Sequence, residues 1–295
     1  MNGVRDRGVA LAPTKVDRLD LSNRRLVVVG GTNGLGQAIG QQALARGAEV
    51  LVVGRTFRDA PHERLTFVKA DLASMREAVR LGRELPVEGS DVVLFTLGIS
   101  ATKVRGETDE RIEMDMAVSY LSRFAVLQGL AARLGTERPD GAPEPRVFVM
   151  GAPGTGVLGD PDDLNSDGPY RALRAHMNTV AANEALVLRG ADRLPGPAYF
   201  GLNPGLIKTD IRSNFLGEGS LTHRFTETLI GIAGQSPQTY AGRIVPLLFA
   251  EELEGRTGLL FNNKARPVLS SRGFDSARAD RFLTASDTLL QRALH

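Results

Sequence analysis

The stretch RRLVVVGGTNGLGQAIGQQALARG, residues 24–47, constrains this chain more than any other. A short β-branched apolar run stops at glycines, and residues at helical spacing follow as far as Gly47. That pattern is a buried strand turning straight into a helix. The alternation then continues. Runs EVLVVG, LTFVKA, DVVLFTLG, RVFVM and AYFGLN read as strands, and 73–85, 109–134 and 175–194 read as helices between them. Strands joined by helices lie parallel in one sheet covered on both faces, so the spacing predicts an α/β fold with a doubly wound parallel sheet. With 295 residues, 42% of them hydrophobic, and no linker-like stretch, one core is expected over 24–295. Residues 1–23 read as a flexible lead-in. The C-terminal part adds a glycine-interrupted lid at 211–235, a helix opened by a Ser-Pro cap at 236, a short GLLF strand and an amphipathic helix over 276–294.

Composition narrows the chemistry. There is no cysteine, so no disulfide and no thiol nucleophile. His62, His176, His223 and His295 are scattered, which argues against a zinc cluster. A net charge of +2 offers little attraction for nucleic acid. No apolar run has the length of a membrane span, and the lead-in lacks the apolar core of a secretion signal. A cytoplasmic protein acting on a small molecule is expected.

Gly30, Gly34 and Gly36 stand between the first strand and its helix, with Thr32, Asn33 and Leu35 among them. Glycine serves there where the turn is tight and where backbone must approach a pyrophosphate, which the helix N-terminus then attracts. This is the Rossmann-type context for a dinucleotide. The second strand ends in Arg55, where an acid would accept from an adenine ribose. Arginine favours the 2′-phosphate of NADP instead, and Arg58 stands close enough in sequence to assist. Asp71 and Leu72 fall at the C-terminal edge of the third strand, where an adenine would sit.

From residue 24 onward the chain resembles the short-chain dehydrogenase/reductase family, and especially its retinol-dehydrogenase-like branch. The resemblance rests on Gly30, Gly34 and Gly36, on Asp71 and Gly98, and on AVSYLSRF, DLNSDGPY and NPGLIKTDI. It implies that Pro204 and Gly205 shape a nicotinamide pocket, with Leu206 and Thr209 near the carboxamide. It also implies pairing of two copies through the long helices, 109–134 and 170–194, as a homodimer. The family carries an Asn, Ser, Tyr, Lys tetrad, in which lysine lowers the tyrosine pKa and holds the ribose. Laid over AHMNTVAAN, the family pattern matches Ala175, Thr179, Ala182 and Asn183. His176 then takes the tyrosine position and Val180 the lysine position; the serine falls on Ala152 or Gly151, and the asparagine on Ser119.

A second alignment uses Tyr170 with Arg174, four apart on one expected helical face. No lysine lies between Lys103 and Lys208 in either case. Histidine titrates near ~6.5 and is a competent general acid without a lysine. Ser119, Thr155, Tyr120 or Asn178 would orient a substrate, and His223 in the lid reads as solvated. The expected activity is an NADP-dependent oxidoreductase acting on a small or medium apolar carbonyl, alcohol or enone, with His176, Ser119 and Tyr170 as the catalytic candidates. Two alternatives stay open: a non-redox isomerase, cyclase or lyase on the same fold, and an NADP(H)-binding regulatory protein without turnover.

Overall fold

The computed structural model describes residues 3–12, 14–205 and 235–295. The expected lid, with Leu206, Thr209 and His223, lies outside these residues apart from its last position. Eight strands form one sheet: β1 (Arg25–Val29), β2 (Glu49–Gly54), β3 (Leu65–Lys69), β4 (Val92–Phe95), β5 (Arg146–Met150), β6 (Ala198–Leu202), β7 (Leu259–Phe261) and β8 (Pro267–Val268). Their order is β3-β2-β1-β4-β5-β6-β7-β8, parallel except for the antiparallel β7–β8 pair. Strand β8, two residues long, is too short to leave a periodic signal. Helices are α1 (Gly34–Leu44), α2 (Met75–Glu84), α3 (Met114–Met116), α4 (Ser122–Leu130), α5 (Ala172–Arg193), α6 (Pro237–Leu248) and α7 (Ser276–Leu294).

The apolar strands are central because both their faces are covered. In β1 everything after Arg25 is buried. Leu26 and Val28 point into one core, shared with Ile39 of α1 and Tyr240 and Ile244 of α6. Val27 and Val29 point into the other, shared with Met75 of α2, Phe124 of α4, Leu186 of α5 and Phe282 of α7. The period of two along the strand thus feeds two helical layers. Edge strand β3 is only partly covered and keeps polar residues at both ends of LTFVK, the first of them one position in.

Caps set the helix starts. Asn33 Oδ1 accepts from Gly34 N at 2.9 Å, and Ser236 Oγ accepts from Thr239 N at 3.1 Å with Pro237 in the first turn. Ser74 Oγ accepts from Glu77 N at 3.3 Å, and Glu110 Oε1 accepts from Ser74 Oγ at 2.7 Å and from Met75 N at 3.1 Å. Glu110 is used here because the expected helix at 109–134 begins only at Met114; before it the backbone turns through Arg111 at φ 61°. Between α3 and α4, Ala117–Leu121 form a π turn. Such an extra residue in a helix often marks a functional position, and no hydrophobic period reveals it.

The lead-in runs back to the sheet edge. Leu269 N donates to Val4 O at 2.8 Å, Asp6 N donates to Pro267 O at 3.0 Å, and Leu21 is buried. Helix α7 lies across the long helices: Tyr120 Oη and Ser286 Oγ are 2.6 Å apart, and Arg189 Nε donates to Asp280 Oδ1 at 2.9 Å. The face that the resemblance assigned to pairing is therefore partly covered by the chain's own terminal helix. Among the described residues no helix is long and apolar enough to cross a membrane.

Helices α2 and α4 cross at two glycines. A Cβ on Gly129 would stand 2.6 Å from Gly82 C, and one on Gly82 would overlap Val126 O. Gly82→Ala should lower stability by about 1–3 kcal/mol in urea unfolding, the usual cost of overpacking. Gly106→Ala, whose Cβ would meet only Met114 Cβ at 3.8 Å, should change it far less.

Candidate active site

The strand order reverses between β1 and β4, and a doubly wound sheet opens a crevice at the C-terminal ends of such strands. A cleft of about 850 Å³ lies there. Its wall contains Gly30, Thr32, Asn33, Gly34, Leu35, Gly36, Arg55, Asp71, Leu72 and Gly98 from the β1, β2, β3 and β4 ends, with Pro204 and Gly205 after β6. Ser119, His176 and Val180 line it too. The structure thus gathers residues from positions 30 to 205 into one continuous wall.

The glycine turn is built for close approach. Gly30 has φ 94°, and a Cβ there would lie 2.5 Å from Leu97 N. A Cβ on Gly36 would lie 2.5 Å from Gly30 O. Only glycine leaves the first turn of α1 open to a phosphate. Arg55 and Arg58 are exposed at the β2 end and make no hydrogen bond or ion pair with the described residues. Asp71 Oδ1 accepts from Ala73 N at 3.1 Å, which holds the β3 end open. The cradle fits the pyrophosphate of a dinucleotide.

At the other end of the cleft His176 comes from the second turn of α5. Its Nδ1 lies 2.7 Å from Asp115 Oδ2, and the Asp115 side chain is 0% exposed. Ser119 Oγ donates to Asp115 Oδ1 at 2.5 Å and accepts from Ile99 N at 3.0 Å. Both carboxyl oxygens of Asp115 are therefore engaged, one by the imidazole and one by the hydroxyl. Four residues beyond Ser119 stands Arg123, 3% exposed. Its guanidinium donates to Met150 O at 2.5 Å, to Asn183 Oδ1 at 2.8 Å and to Leu97 O. Burial pulls it down to about 9, against the pull of the Asp115 carboxylate, so it stays cationic at neutral pH.

The remaining candidates are used elsewhere. Tyr170 precedes α5, whose N-cap is Arg171, so Tyr170 and Arg174 do not share a helical face. Tyr170 Oη donates to Thr102 O and to Glu113 Oε1, both at 3.2 Å, and is not in the cleft wall. Arg174 pairs with Asp160 at 2.6 Å. Tyr120 is buried against Ser286, Thr155 Oγ1 donates to Ala152 O at 2.7 Å, and Asn178 bridges Asp160 N and Asp163 O. None of these three lines the cleft, because each hydroxyl or amide holds a loop or helix in place. Conversely, Asp115 and Arg123 were not anticipated. Their signal was present: MDMAVSYLSRFAVLQGL carries an acid and a base eight apart, with Ser119 midway, on an otherwise apolar helix.

Fold and cleft together define a nicotinamide-type oxidoreductase architecture. An uncharacterised oxidoreductase of Saccharomyces cerevisiae is 43% identical over 294 residues, covering 98% of this chain and 95% of its own. Retinol dehydrogenase 13 of Mus musculus is 22% identical, over 93% of this chain and 86% of its own. A short chain dehydrogenase structure from Salmonella enterica superposes with TM-score 0.58 at 15% identity, over 86% of this chain and 99% of that one. No protein-family model matches. The chain belongs to the short-chain dehydrogenase/reductase family and is an oxidoreductase of that type.

All four tyrosines are held as phenols. Burial and the Glu113 carboxylate push Tyr170 up to about 12, and burial pushes Tyr120, Tyr199 and Tyr240 higher still. A raised folded value favours the protonated form. Its contribution to stability is complete below about 10, the unfolded value, and for Tyr170 is lost as pH rises through about 12. Near pH 10.5 the native chain should show almost no tyrosinate absorbance, whereas the urea-unfolded chain should show more than half of the phenols ionised, with free tyrosine titrating near about 10.

Proposed function

We propose that the protein is an NADP(H)-dependent reductase or dehydrogenase for carbonyl, alcohol or enone groups on small or medium apolar molecules, with His176 as the proton donor and acceptor. One observation carries this reading. A buried carboxyl grips the imidazole of His176 in the same cleft whose far end is the glycine turn. A nicotinamide bound along that cleft supplies or accepts the hydride at the substrate carbon. In the reducing direction the imidazolium of His176 gives its proton to the carbonyl oxygen, and the product alcohol leaves; the imidazole is then recharged from solvent. Oxidation runs the same proton back. Histidine suits both directions because its charge changes near neutral pH.

The chain's other residues have distinct tasks. Ile99, Met114 and Val118 give the wall beside His176 an apolar surface, which favours an apolar substrate and excludes water from the proton transfer. That is in keeping with the retinol named for the mouse relative. Ser119 spends its hydroxyl on Asp115 and Ile99, so its task is to hold the carboxyl and not the substrate. Val180 offers no polar atom to a ribose, so cofactor affinity rests on the glycine turn and on Arg55. An arginine fork beside a 2′-phosphate contributes charge-assisted bonds that NADH does not allow.

Calorimetric titration with NADPH and NADH, followed by a panel of apolar ketones, tests the reading. NADPH should bind at least 10-fold more tightly than NADH, and Arg55→Asp should erase that preference, a change of about 1.4 kcal/mol or more. His176→Phe should keep NADPH binding and lose at least about 100-fold in turnover. Full turnover in His176→Phe, or equal binding of the two nucleotides, would sink it.

A further inference from the structure

The geometry points to Asp115 as the positioning residue of the site: it holds His176 with Nδ1 protonated, so that Nε2 is the nitrogen that exchanges the proton with substrate. This rests on the reading of His176 given above and extends it to a residue that no glycine or strand-end motif contains.

The physical case has three parts. A carboxylate only accepts hydrogen bonds, so the 2.7 Å contact with Asp115 Oδ2 places the proton of the neutral ring on Nδ1. Asp115 itself has little freedom. Its side chain is 0% exposed. Its other oxygen accepts from Ser119, whose hydroxyl is in turn held by the Ile99 backbone N–H of the segment that follows β4. Finally, the backbone that carries the ring is fixed: His176 stands in the second turn of α5, where Thr179 Oγ1 donates to His176 O at 2.8 Å. Ring plane, tautomer and position are all set before a substrate arrives, which is what a proton-transfer step requires.

Charge supports the same assignment. Several described charged or titratable groups interact with Asp115, the partner of His176. Asp115 and Glu113 come from the start of the long helix, Arg123 from α4, and the Tyr170 phenol from the segment before α5. Glu113 lies 1% exposed, and its carboxyl is raised by burial and by the Asp115 carboxylate. Arg123 is spread over three acceptors, Met150 O, Leu97 O and Asn183 Oδ1, and interacts with Asp115 through space. Asp115 is the carboxyl in contact with the ring, and a negative charge beside an imidazole favours its charged form.

The test needs no known substrate. The uniformly ¹⁵N-histidine-labelled chain has four histidines, and the His176→Phe spectrum identifies which signals belong to His176. Expected in the wild type is a neutral ring protonated at Nδ1. Asp115→Asn keeps the side-chain shape, and Ser119 can still bond to it. It should lower the His176 titration midpoint by about one unit or more and mix the two tautomers. Ser119→Ala should shift the midpoint in the same direction by less. With a ketone substrate in hand, Asp115→Asn should cut kcat roughly 10- to 100-fold, as when other histidines lose a carboxylate partner, with KM little changed. A wild-type ring protonated at Nε2 would overturn the assignment even if the Asn variant failed to fold. So would a midpoint and tautomer unmoved by Asp115→Asn. The Nδ1 tautomer found together with an absence of any NADPH turnover would support the positioning and overturn the reductase reading, so the two failures are distinguishable.

Discussion

One buried arginine ties the working edge of this molecule together. Arg123 reaches from α4 to the carbonyl of Leu97 beyond β4, to the carbonyl of Met150 at the end of β5 and to the amide oxygen of Asn183 on α5. Asn183 in turn donates to Ser119 O and Thr179 O, at 2.9 and 2.7 Å. Two strand ends, the π turn and the helix bearing His176 are thus joined by one guanidinium and one amide. A lysine could not do this. Its point charge lacks the planar fork that addresses several acceptors at fixed angles. Those acceptors and Asp115, two turns back on the same face, offset part of the desolvation cost of placing a cation at 3% exposure, while Arg123 Nε stays buried without a partner among the described residues.

The general plan was legible because it depends on patterns that survive without three-dimensional context. Apolar runs of five residues bounded by glycine or polar residues must be buried strands, and their alternation with helices dictates a parallel sheet. The glycines at 30, 34 and 36 declare a close approach, and at two of them an added Cβ would stand 2.5 Å from a backbone atom. The site itself was half legible. The AHMNTVAAN pattern singles out His176, and the structure puts it in the cleft wall. Asp115 was not, because its partner is 61 residues away in sequence and only the crossing of two helices brings them together. Tyr170 misled for the opposite reason. A spacing of four suggests a shared helical face only if the helix has begun, and α5 begins two residues later. The π turn at Ser119 and the two-residue β8 carry no periodic signal at all.

The packing also explains why the helix before α4 carries so much chemistry. Asp115, Ser119 and Arg123 recur every four residues, so all three stand on the face turned toward the strand ends. On a regular α-helix that spacing drifts around the axis; the π turn over Ala117–Leu121 adds the extra backbone that alters the drift between the first and the last of them. The residues between, Met116, Ala117, Tyr120, Leu121 and Phe124, fill the core. One helix thereby serves as core element on one side and as the polar floor of the cleft on the other.

In the proposed reaction the identity of the acid dictates the sign of its neighbour. A phenol exchanges its proton readily near neutral pH when a cation lowers its value toward that range, because losing the proton leaves an anion that the cation stabilises. An imidazole has the opposite need: its acidic form is a cation, and an anion beside it keeps that form available. The cleft offers His176, a carboxyl in contact with it, and Val180 one turn further along α5. Its fixed cation, Arg123, is engaged with carbonyls and an amide and makes no hydrogen bond to the ring. A histidine with an aspartate behind it and an apolar residue one turn on is a self-consistent acid–base group. The same histidine beside a lysine would be discouraged from charging. On that proposal, the tetrad substitutions implied by the resemblance amount to one change in charge logic, in which exchanging the acid reverses the neighbour it requires.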